Sequence, residues 1–132
     1  MSTNNSNLLR NALYGNSIFC STSGLSFVIF SKPISNFLGL STSWVILVLG
    51  IILVLYGLEV FVFARKEKIS EGFAKFVIAA DIAWVIGSAI LIFSSLIPFT
   101  IAGKWAIAMI ADIVLVFAIV QFVGLRKMLA IR

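Results

Sequence analysis

Trp44-Val-Ile-Leu-Val-Leu-Gly-Ile-Ile-Leu-Val-Leu-Tyr-Gly-Leu-Glu-Val-Phe-Val-Phe-Ala64 carries a single charged side chain, Glu59, in a run otherwise built of aliphatic and aromatic residues. Its length matches the ~20 residues a helix needs to cross a hydrocarbon core, and its apolar positions show neither alternation nor a heptad. Three further stretches read the same way. With this one they predict four spans, at about residues 8–30, 44–64, 76–97 and 105–125 of a 132-residue chain. The fold class expected is all-α, a single polytopic membrane domain over residues 1–132 arranged as a four-transmembrane-helix bundle. Composition agrees: 61% of residues are hydrophobic, 11% are charged, and the mean hydropathy is +1.15.

The spans differ in strength. The third holds twelve Ile, Val, Leu and Phe residues, which at about −0.3 to −0.6 kcal/mol each outweigh one buried acid on insertion scales. The first includes Arg10, Asn11, Asn16, Ser17, Ser21, Thr22 and Ser23, so its polar face is expected to be covered by protein. Pro33 and Pro98 follow the first and third spans, where helices should stop. The segment 31–43 mixes Ile34, Phe37, Leu38 and Leu40 with Ser and Gly and is expected at the membrane interface. Trp44 and Trp105 open spans on that same side, in the manner of an aromatic belt.

The basic residues are lopsided. Arg10, Arg65, Lys66, Lys68, Lys75, Arg126, Lys127 and Arg132 fall on the side of the termini, against Lys32 and Lys104 on the other. Eight against two predicts N-in/C-in by the positive-inside rule and argues against dual topology. The net charge of +5 is spread over short span flanks with no basic groove, so the expected partner is the lipid bilayer and not nucleic acid. The polar start, Met-Ser-Thr-Asn-Asn-Ser, is expected to be mobile and lacks signal-peptide character, so the first span should remain in the mature protein.

The chain has no histidine and one cysteine, Cys20. Histidine-ligated haem, cysteine clusters, structural zinc, an internal disulfide and a Ser-His-Asp triad therefore cannot be built. No metal site, cofactor or enzymatic activity is expected. Small residues recur every fourth position in Ala12, Asn16, Cys20 and Gly24, and in Ala79, Ala83 and Gly87. Both rows read as helix-packing surfaces.

The remaining chemistry is three acids inside apolar spans: Glu59, Asp81 and Asp112. Each would cost about 2.5–3.5 kcal/mol if charged at a helix centre, so each needs a partner, a water pocket or a proton. Counted from the inner boundary at ~1.5 Å per residue, Asn16, Glu59 and Asp81 lie roughly 9 Å deep and Gln121 roughly 7.5 Å deep. One polar layer is expected from four spans, with Tyr56 one turn from Glu59. It is either a pocket opening to the cytoplasm or a structural cluster in which Arg10 pairs with Glu59 or Asp81. Asp112 lies roughly 12 Å in from Lys104 and about 180° round its helix from Gln121. Both cannot face one bundle core, and this is the argument for an oligomer or partner contact at Asp112.

The elements Gly15-Asn-Ser-Ile-Phe-Cys-Ser-Thr-Ser-Gly24, Ala80-Asp-Ile-Ala-Trp-Val-Ile-Gly-Ser88, Gly103-Lys-Trp105 and Gly124-Leu-Arg-Lys127 resemble an uncharacterised family of small bacterial four-span integral membrane proteins. The resemblance covers most of the chain and implies location in a bacterial inner membrane, but it brings no activity. The small multidrug-resistance transporters, with a glutamate in the first span, and the fluoride channels, with a Thr-Thr-Phe-Ser signature, both lack their marks here. Two functions are expected to compete. One is a non-catalytic accessory, assembly or partner-binding subunit, acting as a homo-oligomer or within a larger membrane complex. The other is an oligomeric small transporter or channel for protons or a cation, which requires flux.

Overall fold

The computed structural model of the protein describes residues 2–94 and 97–130, with side chains from Asn7 onward. Five helices and no strand are found among the described residues: α1 (Ser2–Ile29), α2 (Ser31–Leu38), α3 (Trp44–Arg65), α4 (Glu71–Phe93) and α5 (Ile101–Leu129). The all-α expectation holds. Three helices, α3, α4 and α5, are each long and apolar enough to cross a membrane, and a fourth span is added if the bent pair α1–α2 counts as one. The apolar outer surface is that of a membrane protein: Ile52, Leu55 and Leu58 on α3 and Val116 and Ile119 on α5 all lie open.

Several boundaries differ from the sequence reading. Helix α1 starts at Ser2, so the polar start is helical from that residue, while Met1 and Arg132 lie outside the described residues. Helix α4 stops at Phe93, four residues short of the expected end, and α5 exceeds its expected span at both ends. The segment expected as an interfacial loop contains α2, set at 92° to α1. Pro33 explains the break. It has no N–H to donate to the Ile29 carbonyl, so α1 cannot continue past Ile29, but the same residue is tolerated in the first turn of a new helix. Gly39 closes α2 in the left-handed region at φ 88°, a conformation glycine adopts without steric cost.

The loop before α5 docks on this helix. Thr100 N–H donates to the Leu38 carbonyl at 3.0 Å and its hydroxyl to the Phe37 carbonyl at 2.6 Å. The same hydroxyl caps α5 by accepting from Gly103 N–H at 2.9 Å, satisfying one orphan donor of the first turn. Ser70 caps α4 in the same manner, through Phe73 N–H at 3.2 Å.

Helix α1 is central. It packs along α3 and α5, while α4 packs on α5. The α1–α3 crossing depends on small residues. A Cβ on Gly50 would lie 2.7 Å from the Gly24 carbonyl oxygen, one on Gly24 2.7 Å from that of Gly50, and one on Gly57 would run into the Ser21 hydroxyl. Gly124 of α5 sits as closely on the Leu9 backbone of α1. The expected α4 row is different. Ala79 and Ala83 are exposed and Gly87 has nothing within 4 Å of its Cβ position, so this row packs no helix of its own protomer.

The closely packed core lies at the end of the bundle that holds the termini. Leu9, Leu13, Val60, Ala74, Val77 and Leu125 are buried there, and Phe63 stacks on Phe73 with centroids 3.9 Å apart. That stack and the Tyr56–Phe76 pair at 6.5 Å join α3 to α4, whose backbones do not otherwise pack.

Substitution at the crossing separates packing from propensity. Gly50→Ala is expected to lower stability by about 1–3 kcal/mol, the usual cost of forcing atoms into a filled contact. Gly87→Ala should be neutral or stabilising by up to about 1 kcal/mol, the helix-propensity gain over glycine. Thermal unfolding of the two variants in one detergent checks the contrast.

Candidate functional site

Just above the apolar core, three helices each contribute one polar side chain to a single point. Asn16 of α1 donates Nδ2–H to Asp81 Oδ2 at 2.9 Å, and Gln121 of α5 donates Nε2–H to the same oxygen at 3.0 Å. Asp81 itself comes from α4. All three are buried, with relative exposures of 1%, 4% and 0% for Asn16, Asp81 and Gln121. Cys20, one turn along α1, donates its thiol to Asn16 Oδ1 at 3.2 Å. Hydrogen bonds to an ionised acceptor are the stronger kind, and two amide donors on one carboxyl oxygen are what a buried carboxylate needs when no cation is present.

Local sequence explains why these residues converge. Along α4 the buried positions are Ala74, Val77, Ile78, Asp81 and Ser88, one helical face with the acid at its centre. Along α5, Ala111, Val114, Ala118, Gln121 and Leu125 form the matching face. The small residues Ala118 and Gly124 on either side of Gln121 let α1 and α4 come near enough for its amide to reach Asp81.

Of the expected layer, Asn16, Asp81 and Gln121 are brought together, and Tyr56 lines the space beside them. Glu59 is not part of it. It is exposed, because the face of α3 turned to α1 is that of Gly50, Gly57, Val60 and Ala64, and Glu59 lies about 100° round the helix from Val60. Equal depth did not mean equal direction.

Arg10 pairs with neither acid. Its guanidinium donates to the carbonyls of Ala64 at 3.0 Å, Lys66 at 2.7 Å and Glu67 at 3.0 Å. The last carbonyls of a helix have no partner within it and the helix dipole favours a cation there, so Arg10 is held by the end of α3. The one ion pair between described side chains outside this region is Lys75–Glu71 at 2.9 Å, on the surface of α4.

Among the described residues, no pocket opens from the cluster toward the end of the bundle that holds the termini. On the side of the termini the cluster is sealed by the Leu9, Leu13, Val60, Val77 and Leu125 core. The open space lies on the other side. A cavity of about 200 Å³ is walled by all four long helices, with Phe19 and Phe27 from α1, Tyr56 from α3, Asp81 and Trp84 from α4 and Val114 from α5. Its surface is apolar except at the acid end. Oδ1 of Asp81 accepts no hydrogen bond among the described residues, since both amides use Oδ2. The Tyr56 hydroxyl and Trp84 Nε1 are buried without a partner, as is Gln121 Oε1. Groups left in that state in an apolar interior are costly.

Asp112 is exposed, on the side of α5 opposite Gln121. It lines a shallow crevice between α4 and α5 with Lys104 and Trp105, but forms no ion pair or hydrogen bond among the described residues. No group of three acidic or sulfur side chains able to hold a metal occurs among the described residues.

Sequence reading places Tyr56, and Trp84 at i+3 from Asp81, beside the polar layer, but takes Cys20 as a packing residue and misses the Phe19 and Phe27 part of the wall. The Asn16–Cys20 spacing of four residues was a usable signal for the thiol contact, whereas twelve phenylalanines in the chain gave no means of choosing Phe19 and Phe27. No protein-family model matches this chain, and no curated protein or solved structure matches it either.

The cluster and the outlying acid should respond differently to neutral substitutions. Gln121→Ala removes one of two donors from a buried acceptor and is expected to cost about 1–3 kcal/mol. Glu59→Gln should change stability by less than about 0.5 kcal/mol, as for a surface position. Denaturation midpoints of both variants against the parent protein give the comparison.

Proposed function

We propose that this chain is a four-span, N-in/C-in protein of a bacterial inner membrane, akin to the small bacterial four-span proteins it resembles. Its work is binding and not catalysis, as an accessory or assembly subunit that forms a homo-oligomer or joins a larger membrane complex. The single observation that carries this reading is Asp112. It is an exposed acid in the middle of an apolar helix, on the side opposite Gln121, with no partner among the described residues.

Depth separates Asp112 from Glu59. Glu59 lies six residues from Arg65, roughly 9 Å, close enough to the inner end of its helix for the side chain to lean toward the interface. Asp112 is roughly 12 Å in from Lys104 with more than three turns of helix beyond it. Facing lipid it would cost about 2.5–3.5 kcal/mol, a cost that a donor from a second subunit removes. The row of exposed Ala79 and Ala83 and half-buried Gly87 on α4 offers a second surface on which another helix can approach closely.

The four-span count treats α1 as a span and α2 as a helix lying along the outer interface. Support comes from the amphipathic mixture in α2 and from Trp44 and Trp105, 62% and 70% exposed, at the level aromatic belts occupy. Orientation rests on the eight-to-two distribution of basic residues, of which Arg132 is outside the described residues. Cysteines introduced at Lys68 and Thr42 in a Cys20→Ser background should therefore label from opposite sides, Thr42 from outside intact cells and Lys68 only after permeabilisation. The reverse pattern would overturn the orientation.

The transport reading keeps one observation in its favour, the cavity that ends on Asp81. Two measurements weigh the readings. Asp112→Cys in the Cys20→Ser background is expected to cross-link between protomers, or to a second protein, in native membranes. Liposomes containing the wild-type protein are expected to pass protons and alkali cations no faster than empty ones, and flux that disappears in Asp81→Asn would replace the accessory reading with the transporter.

A further inference from the structure

The cavity above Asp81 has a wall chemistry that selects a ligand class, and the geometry points to a small lipophilic organic cation: an ammonium group on an apolar or aromatic body, with the Asp81 carboxylate as counter-ion. This inference goes beyond the partner reading and is independent of it, because the cavity faces inward and Asp112 faces out.

Charge is the first argument. Asp81 is 4% exposed and sits among four apolar helices with only neutral donors on it. Among the described residues no basic side chain lines the cavity, and several are engaged elsewhere. Arg10 is committed to the end of α3, Lys75 pairs with Glu71, and Lys66 and Arg126 lie over Phe63 and Phe122 at helix ends. Amide donors satisfy the hydrogen bonding of one carboxyl oxygen but supply no opposite charge. In a low-dielectric interior the group is relieved either by a proton or by a counter-ion, and a cationic ligand competes with the proton for it. The free oxygen of the same carboxyl group belongs to a residue on the cavity wall.

The wall is the second argument. Phe19, Phe27, Tyr56 and Trp84 surround the space, and aromatic faces attract a cation through their quadrupoles while also accommodating its apolar body. An anion would meet Asp81 at close range with no cation to offset it. A neutral apolar molecule would fill the space but leave the charge as it was.

Size is the third. A protein cavity of roughly 150 Å³ accommodates benzene, so about 200 Å³ admits a ligand of roughly eight to ten non-hydrogen atoms. Benzylammonium is of that size, and benzyl alcohol shares its ring and shape without the charge.

The test uses the full-length protein in phosphatidylcholine nanodiscs, with empty nanodiscs subtracted, and measures binding of benzylammonium and benzyl alcohol by calorimetry at neutral pH. Benzylammonium is expected to bind saturably and at least about tenfold more tightly than the alcohol, a modest difference for a desolvated cation at an aromatic and anionic site. Asp81→Asn should remove that preference, Ala80→Phe should block both probes by filling the cavity, and Glu59→Gln and Asp112→Asn should leave binding unchanged. Equal affinity for the two probes, absence of saturable binding of benzylammonium, or a preference that survives Asp81→Asn would each overturn the assignment. The comparison of probes on the wild-type protein stands even if Asp81→Asn does not fold. Failure of Asp112 cross-linking would bear on the partner reading alone.

Discussion

One carboxyl oxygen joins three helices. Asp81 Oδ2 takes an amide from α1 and an amide from α5, and α4 has little other hold on α1, since its backbone packs on α5. In a bilayer, apolar surface gives no preference for one helix face over another, because lipid tails are as apolar as leucine. A buried hydrogen bond does give a preference. Rotating α4 by one residue would swing Asp81 about 100° away from both donors and leave an unpaired acid in hydrocarbon. The polar cluster therefore fixes the azimuth and depth of α4, the helix least constrained by close backbone contact. This is the register-setting role that a single polar group plays in other helical assemblies.

The cavity is a consequence of the same arrangement. Close contacts at Gly24, Gly50 and Gly57 pull α3 onto α1, while Asp81 and the backbone packing on α5 position α4. Between α3 and α4 the seam is closed at the end near the termini by the Phe63–Phe73 stack and by Tyr56 against Phe76. Beyond Tyr56, α3 lines the cavity with Leu49, Ile52 and Leu53 and α4 with Ala80, Asp81 and Trp84. The alanine and the distance between backbones leave a volume that side chains do not fill. Interiors are ordinarily packed with few voids larger than a water molecule, so a space of about 200 Å³ against Asp81 is unusual for a helical bundle of this size.

What could be read before the structure was whatever depended on distance along a helix. The spans followed from uninterrupted apolar runs, and the common depth of Asn16, Asp81 and Gln121 from counting at ~1.5 Å per residue. The opposition of Asp112 and Gln121 was legible because both lie on one helix, where separation in sequence converts directly to angle. What failed depended on angle between different helices. Apolar residues surround α3 on all sides, so no amphipathic face told which way Glu59 pointed. Arg10 was matched to acids because charges are visible in a sequence. The competing partner, a set of carbonyls exposed by the end of α3, is created only when that helix stops. The bend at Ile29 was readable from Pro33, but the helix after it was not, since a proline marks both the end of one helix and the first turn of the next.

The three acids are therefore three different solutions to one energetic problem. Asp81 is buried and relieved by amide donors. Glu59 lies near the inner end of its helix, where a short reach brings its carboxyl to the interface. Asp112 has neither donors nor proximity to an end among the described residues, and the Lys104 side chain that shares its crevice forms no ion pair with it. Under the proposed partner reading, a second subunit supplies what Asp112 lacks on α5, whereas the interior gives Asp81 hydrogen bonds from two neutral amides. The two deficits differ in kind. The outer one calls for a surface with a donor, which a neighbouring helix provides. The inner one calls for a charge small enough to enter a cavity of about 200 Å³, which a neighbouring helix cannot provide. A single occupant cannot resolve both, so the two proposals, a partner at Asp112 and a ligand at Asp81, concern separate places on the protomer and stand or fall independently.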